Sequence, residues 1–408
     1  MYKTACLIGL LALSVAFFSR CFQVNSAAGI DSRGPLYAGS QACIKCHLPV
    51  FNSYIHNNHF KTSSPADANS LKTMAAVANN PFYFPDSTLI NIEEKNNTLF
   101  QSLSSPDNHS AHRGAGEFPS PRSEKFDIAF GSAEKAQTYA YWKDGTLYQL
   151  PLSWFAGLNA WANSPGFPAS HARFNRTITS RCFECHASYI KRDFEQSGSL
   201  AVSEVLDPKS IVYGIDCERC HGPALEHVRF QQENPDVKTA RFIARISALS
   251  RQQQLDLCAV CHSGNDRETQ KSLFNFVPGD TLSHFFYPSF GATAAEPDVH
   301  GQQLQLLRLS KCFNASDMTC STCHRTHADL APTNDYNAKC YSCHESSTHA
   351  IDVMKENEQR KRDFNLTSTT CIDCHMPLLA SKMIILNNGA GSKTIPYLLR
   401  THRIAIYK

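Results

Sequence analysis

Apolar and polar positions alternate most clearly between residues 97 and 160. Aromatic and β-branched residues recur there in three short runs, Phe126–Phe130, Thr138–Trp142 and Thr146–Leu150. The last two runs flank Lys143–Gly145, and Asp-Gly at this position is a strong hairpin signal because both turn residues tolerate a positive φ. The pattern therefore predicts a small antiparallel β insert over residues 97–160.

Two polar stretches predict structure of other kinds. Ser104–Arg122 is rich in Pro, Ser, Gly and His, which predicts a loop. Ile351–Arg362 is polar and contains neither Pro nor Gly, so it predicts an exposed helix.

The N-terminus has the pattern of an export signal. The apolar run Ala5–Phe18 has 14 residues, whereas a membrane-spanning helix needs roughly 20. With Lys3 before it and small residues after it, the run predicts a signal peptide over residues 1–26 and a periplasmic or cell-envelope location. Lipid attachment at Cys21 is an alternative that the preceding Arg20 disfavours, and an uncleaved leader is another.

Cysteine and histidine dominate the remaining chemistry, with 17 Cys and 18 His in 408 residues. The 42 % of hydrophobic residues excludes a disordered chain, and cysteine at about 4 % is too sparse for a small disulfide scaffold. Most cysteines belong to C-x-x-C-H motifs, which occur seven times: Cys43-Cys46-His47, Cys182-Cys185-His186, Cys217-Cys220-His221, Cys258-Cys261-His262, Cys320-Cys323-His324, Cys340-Cys343-His344 and Cys371-Cys374-His375.

This motif is the attachment signature of c-type haem. Two thiols three positions apart lie on one side of a helical turn and can add to the two vinyl groups on one porphyrin edge. The following imidazole then reaches the iron as its proximal ligand. Zinc sites and disulfides are the alternatives, but zinc does not require a His after every pair, and seven is an odd number of pairs. We expect seven covalently bound haem c groups.

The other eleven histidines exceed the seven second axial ligands that seven irons could take, so all seven irons could be bis-His. Methionine is the rival ligand, and we expect it rarely. The histidines best placed as distal ligands are His59, His227, His300, His327, His349 and His402. A second group of candidates comprises His112, His171 and His284, and His56 is a further possibility.

The spacing of the motifs divides the chain. One motif stands alone in residues 27–96, the N-terminal haem 1 segment. The insert over residues 97–160 follows, and the other six motifs lie in residues 161–408, a haem-dense domain. Porphyrin faces would replace much of the side-chain core there. We therefore expect a mainly α fold with extensive loops around a haem core, apart from the small antiparallel β insert.

The formal net charge of +3 changes once haem is considered. Removal of residues 1–26 takes away Lys3 and Arg20. The propionates of seven haems would then bring the protein to roughly −6 when oxidised and roughly −13 when reduced. Basic residues are scattered, so we expect no nucleic-acid binding. The expected partners are redox proteins that present a basic patch, and membrane association is expected only through a lipid anchor or an uncleaved leader.

Several strings resemble cytochrome c-552/4-type multihaem cytochromes, among them YAGSQACIKCHLPVFNSYIHNNHF, GIDCERCHGPALEHV, MTCSTCHRTH, CIDCHMP and THRI. A more distant resemblance is to the hydroxylamine oxidoreductase-like multihaem group. The first resemblance implies an exported bacterial haem scaffold with a sheet insert. It also implies distal ligands at His59, His227, His327 and His402. No C-x-x-C-K is present, so a lysine-ligated haem like that of pentahaem nitrite reductases has no counterpart.

Electron transfer through closely packed, mostly bis-His haems is the function that these features favour. The alternative is an oxidoreductase that acts on a small nitrogen or sulfur compound, of the nitrite, hydroxylamine or tetrathionate type, at one five-coordinate haem. No catalytic residue can be named for it. Cys312 is the single cysteine outside both the motifs and the leader, and we expect it to be a free thiol.

Overall fold

The computed structural model describes residues 31–77, 79–104, 121–198, 201–264, 266–288, 296–328, 335–344, 370–389 and 394–407. The predicted leader, most of the predicted loop Ser104–Arg122 and the predicted helix Ile351–Arg362 lie outside these residues. Within them no helix is long and apolar enough to cross a membrane.

The described residues form eleven α-helices and sixteen strands. The helices are α1 (Ser40–Tyr54), α2 (Ala68–Ala75), α3 (Ser180–His186), α4 (Cys217–His221), α5 (Leu225–Glu233), α6 (Arg251–His262), α7 (Gln303–Arg308), α8 (Lys311–Asn314), α9 (Cys320–Cys323), α10 (Asp335–Tyr341) and α11 (Cys371–His375). The strands are β1 (Ser63–Pro65), β2 (Phe82–Tyr83), β3 (Leu89–Lys95), β4 (Thr98–Ser104), β5 (Arg122–Lys125), β6 (Ile128–Phe130), β7 (Ala136–Lys143), β8 (Thr146–Gln149), β9 (Leu152–Phe155), β10 (Ala160–Asn163), β11 (Ala187–Tyr189), β12 (Arg192–Ser197), β13 (Ala201–Leu206), β14 (Val212–Tyr213), β15 (Leu378–Leu386) and β16 (Ile395–Arg400).

The prediction of a mainly α fold is wrong, because antiparallel sheets make up much of the structure. A six-stranded sheet has the order β1-β6-β7-β9-β10 with β8 paired to β7, and a four-stranded sheet has the order β2-β3-β4-β5. Three two-stranded ribbons, β11-β14, β12-β13 and β15-β16, lie among the haem motifs. Apart from α1 and α6, the motif helices have at most seven residues, because a motif needs little more than one turn, and much of the intervening chain pairs as strands.

The hairpin predicted at Asp-Gly is present. Strand β7 pairs with β8 up to Lys143 and Thr146, and the turn residues Asp144 and Gly145 have φ values of 49° and 77°. Both angles are positive, as the turn between tightly paired antiparallel strands requires.

The two larger sheets enclose an aromatic core of their own. Tyr139 and Trp161 are fully buried, and the ring of Phe126 packs edge-on against Tyr139 with centroids 4.8 Å apart. On the other side of the six-stranded sheet, Phe130 of β6 contacts Phe183 of α3 at 5.2 Å. The sheets therefore fold around side chains rather than around a cofactor, and α3 is packed directly against them.

A second apolar cluster supports α6. Leu255, Ala259 and Val260 of this helix pack with Phe276 and Phe285 from the following loops, and all five residues are buried. This cluster holds one face of α6 in place, so that the motif cysteines Cys258 and Cys261 are carried by a fixed helix.

Candidate haem-binding sites

The seven motifs are numbered here as sites 1 to 7 in chain order. Local hydrogen bonds start several motif helices at or just before the first cysteine. Asp216 caps α4 by accepting from the Arg219 backbone N–H at 2.9 Å, and Thr370 forms a capping box with Asp373 at α11. A helix that begins at the first cysteine places both thiols on one turn, which is the geometry that attachment to one porphyrin edge requires.

The described cysteines number fifteen and all are free thiols. No group of three or more His, Cys, Asp or Glu side chains that could hold a metal ion exists among the described residues. The C-x-x-C pairs are therefore arranged neither as disulfides nor as zinc sites. The same cysteine set fits haem c, which uses two thiols per group and keeps them apart from each other.

One large cavity joins all seven sites. Its volume is about 3610 Å³, several times the roughly 300–1,000 Å³ of a pocket for a single small ligand. Every motif contributes cysteine and histidine side chains to its lining. Five further histidines also line it, namely His59, His227, His300, His327 and His402. The cavity therefore fits a set of large cofactors held side by side.

The cavity separates two groups of predicted ligands. His284 and His56 are exposed and His171 is half-buried, and none of the three lines it. His112 and His349 lie outside the described residues. His344 of site 6 and His375 of site 7 do line the cavity.

Four of the five cavity histidines that lie outside the motifs each face a motif histidine, and the distances between the paired rings are similar. The ring centroids of His47 and His227 are 6.5 Å apart, and those of His221 and His327 are 5.9 Å apart. The remaining two facing pairs are His262 with His59 at 6.0 Å and His324 with His402 at 6.2 Å. Two imidazoles bound to one metal at about 2 Å each have centroids about 6 Å apart.

A fifth pair is recognised from its electrostatics. His186 of site 2 lines the cavity together with His300, and its pKa is lowered first by desolvation and then by the nearby charge of His300. The pKa of His300 is itself lowered by burial. Sites 1 to 5 thus each have one histidine beside the motif histidine.

Burial keeps these imidazoles neutral. It lowers the pKa of His59 to about 4, with smaller effects from His262 and His324. It lowers the pKa of His402 to about 4 as well, again with His324 and His262 contributing. Neutral imidazole is the form that binds a metal, so these side chains need no deprotonation at neutral pH.

Hydrogen bonds at Nδ1 orient several of the rings. His221 Nδ1 lies 2.9 Å from the Ala244 carbonyl oxygen, and His227 Nδ1 lies 2.8 Å from that of Arg241. His375 Nδ1 lies 2.9 Å from the carbonyl oxygen of Ala405. Because a carbonyl oxygen only accepts, Nδ1 donates and Nε2 keeps its lone pair for a metal.

Charged residues inside and before the motifs form a buried cluster that sequence reasoning missed. Arg33 donates to Asp31 at 2.9 Å, to Asp216 at 2.7 Å and to Glu218 at 3.1 Å. Burial would lower the pKa of Arg33, but its hydrogen bonds to Asp31 and Asp216 raise it. The cluster joins the segment before site 1 to the helix of site 3. The sequence signal that could have revealed this cluster is the pair Glu218-Arg219 inside the motif C-E-R-C-H, because haem attachment itself does not require charged residues between the two cysteines.

Comparisons with known proteins bear on the class of protein to which these motifs belong. A family model described as cytochrome c3 matches residues 312–385, and one described as cytochrome c554 and c-prime matches residues 167–222. The chain is 23 % identical over 169 residues to the multiheme cytochrome MtrA of Shewanella baltica (strain OS185), a match that covers 41 % of this chain and 37 % of that protein. No solved structure matches. The motifs, the shared cavity and these matches together identify the chain as a multihaem c-type cytochrome with covalently bound haem c.

Proposed function

We propose that this protein is an exported heptahaem cytochrome that transfers electrons through closely packed, mostly bis-His haems. The observation that carries the proposal is the set of facing histidines at sites 1 to 5. Each added histidine comes from a part of the chain outside its partner's motif, yet four of the pairs have the 5.9–6.5 Å spacing that an intervening iron would need.

The residues that would hold each haem follow from the pairs. The two motif cysteines form the thioethers and the motif histidine is the proximal ligand at every site. The distal ligands are His227 at site 1, His300 at site 2, His327 at site 3, His59 at site 4 and His402 at site 5. The bound iron supplies one-electron chemistry, with a potential set by ligation, exposure and nearby charge.

Two histidines on one iron leave no face for a substrate. The chain thus provides five distal imidazoles that line one continuous cavity, and a hydrogen bond at Nδ1 orients that of His227. These features suit storage and relay of electrons. An oxidoreductase would instead need an open iron face beside a proton donor.

The cellular location and the redox partners of the protein are proposed from its class and from the charge of its haem-loaded form. Multihaem c-type cytochromes are typically exported, and the predicted signal peptide fits this. The haem propionates would make the loaded protein acidic. We therefore propose redox partner proteins that present basic surfaces and that associate weakly and in a salt-sensitive manner.

The haem count tests the proposal. A pyridine haemochrome assay of the purified protein should give seven haems per chain, and a reductive titration should consume seven electrons per chain. The Cys312→Ser variant is the matched control, because Cys312 lies outside the motifs, and it should keep the same count. Fewer than six haems per chain would refute the heptahaem assignment.

A further inference from the structure

We infer that the seven sites adjoin in an order different from their order in the sequence, with site 4 as a three-way junction. One arm leads from site 4 to site 2. Another leads through site 3 to site 1, and the last leads through site 5 to sites 6 and 7. This inference rests on the proposed function, and it concerns which attachment residues the fold places side by side.

The contact between sites 4 and 2 is reciprocal. The Cys185 thiol hydrogen-bonds with the Cys261 thiol. Cys185 Sγ also lies 3.9 Å from the Val260 carbonyl oxygen, and Cys261 Sγ lies 3.7 Å from that of Glu184. Helices α3 and α6 therefore pack through their attachment turns. Since each of these sulfurs would hold a haem, the haems of sites 2 and 4 would adjoin.

The other cysteine of site 4 points to site 5. The thiols of Cys258 and Cys320 hydrogen-bond with each other. Arg251 at the start of α6 donates to the Met318 carbonyl oxygen at 3.0 Å, just before α9. The two cysteines of site 4 thus serve two different neighbours.

Site 3 is the third neighbour of site 4. The backbone N–H of Ile215, two residues before Cys217, donates to the carbonyl oxygen of His59 at 2.9 Å, and the ring of His59 faces His262 of site 4. The Arg219 side chain lies between site 3 and site 2, because its guanidinium donates to the Glu184 carbonyl oxygen at 3.1 Å. Site 3 therefore meets site 4 beside His59, whereas it meets site 2 through the charged side chain of Arg219.

The arm from site 3 ends at site 1. The thiols of Cys43 and Cys217 hydrogen-bond with each other. The buried Arg33 cluster fixes this contact, because Arg33 and Asp31 precede site 1 while Asp216 and Glu218 belong to the turn of site 3. Cys46 and Leu48 of site 1 are exposed, so this arm reaches the protein surface.

The arm from site 5 continues along α10 and α11. The ring of His324 lies 5.9 Å from that of Tyr336 in α10. In turn, the Cys340 thiol hydrogen-bonds with Cys371, and the Cys371 backbone N–H donates to Asn337 at 2.8 Å. Cys343 and Cys374 are exposed, which makes sites 6 and 7 the second surface end.

A steady current tests the junction. The Leu36→Cys change, at a position whose side chain is 67 % exposed, attaches the loaded protein to a gold electrode by its site 1 end. The electrode reduces ferric iron to ferrous iron by one electron at a time, and dissolved ferricyanide is reduced to ferrocyanide as the iron returns to the ferric state. The current then measures flow from the site 1 end towards the opposite end.

Matched His→Met variants place a raised potential at one site each. If the iron with the raised potential lies on the route that the electrons follow, each electron must leave it towards an iron of lower potential, which is about tenfold slower for every 59 mV of difference. If that iron lies on a side arm, it accepts one electron and then stays reduced, so the current continues past it. We therefore expect His59→Met at site 4 to lower the current at least about tenfold and His300→Met at site 2 to lower it less than about twofold. The His284→Met control, outside the cavity, should leave the current unchanged.

Electron paramagnetic resonance gives a readout that does not depend on flow. The first electron added to each variant converts the Met-ligated iron to diamagnetic low-spin ferrous iron. Ferric neighbours then lose their magnetic coupling to it. The spectra should change for three further irons in His59→Met and for one in His300→Met.

Haem content and the long-wavelength band of Met-ligated ferric haem are checked first. If His59→Met loses haem, His327→Met at site 3 replaces it, because site 3 lies on the same route and should lower the current as strongly. Equal currents in the site 4 or site 3 variant and in His300→Met, or equal numbers of altered irons in the resonance spectra of His59→Met and His300→Met, would overturn the inference that site 4 is a junction. Absence of any current in the parent protein would instead refute the proposed function, and the magnetic count would still decide the order of the sites.

Discussion

At the scale of single residues, spacing alone predicts the attachment motifs, because two thiols and an imidazole on one turn suit one chemistry, and the class of protein that they indicate is confirmed. The distal histidines were harder. His227 and His327 each follow one motif and face another, so their role depends on tertiary packing that spacing does not contain. His171 and His284 have the same residue type but do not line the cavity. Spacing ranked them below the other candidates without excluding them.

Removal of a facing histidine should open one iron. In His227→Ala, site 1 keeps its cysteines and His47 but loses the imidazole that would fill the second axial position of the iron. A high-spin ferric signal of about one iron per chain is therefore expected. Electron paramagnetic resonance checks this result. The His284→Ala control should show no such signal, and a purely low-spin His227→Ala spectrum would contradict the assignment of His227.

The Arg33 cluster should matter for stability. Arg33→Gln leaves the buried carboxylates of Asp31, Asp216 and Glu218 without their cation, and loss of one partner of a buried ion pair costs about 3–5 kcal/mol. The exposed pair Lys382–Glu296, with side chains 63 % and 70 % exposed, offers the control, because Lys382→Gln should cost at most about 1 kcal/mol. Chemical denaturation of both variants measures the difference, and equal losses would contradict the structural role of Arg33.

At the scale of elements, the sequence predicted one hairpin well and the total strand content poorly. Asp144-Gly145 is a local signal, and the turn it predicts is present. Strands β1 to β3 precede the predicted insert, and β15-β16 follows site 7. Strands β3 and β15 pair with the strands that directly follow them, so their pairing is local. Their residues lie between haem motifs or just after the last one, where an interpretation based on haem packing predicted helices and loops.

The aromatic core of the larger sheets should be energetically separate from haem binding. Leu150 is fully buried in it, so Leu150→Ala should lower the free energy of unfolding by about 2–5 kcal/mol without altering the haem count. Leu36→Ala, at an exposed position, is the matched control and should change the free energy of unfolding by no more than about 0.5 kcal/mol. A loss of haem in Leu150→Ala would show that the two parts are not independent.

At the scale of the whole molecule, the haems should act as the core of the part that holds the motifs. The motif side chains line one cavity of about 3610 Å³, so without haem the apolar side chains of its lining would stay in contact with water, and folding of this part would lose most of its hydrophobic driving force. Chain produced without haem attachment should therefore lose its fold around sites 3 to 7.

Limited proteolysis with mass spectrometry checks this expectation. In the haem-free chain, cleavage should concentrate between residues 217 and 344, while the sheet region over residues 82–163 stays protected by its own core. The loaded protein is the control and should resist cleavage in both regions. Equal protection of the two regions in the haem-free chain would contradict a haem-dependent core.

The central claim is that the irons are relays with both axial positions filled by the chain. Spin-quantified electron paramagnetic resonance of the fully oxidised protein tests it most directly. We expect low-spin ferric signals that together account for the irons counted by the haemochrome assay, with no high-spin component. A high-spin signal close to one iron per chain would contradict the account and would favour a substrate-binding haem.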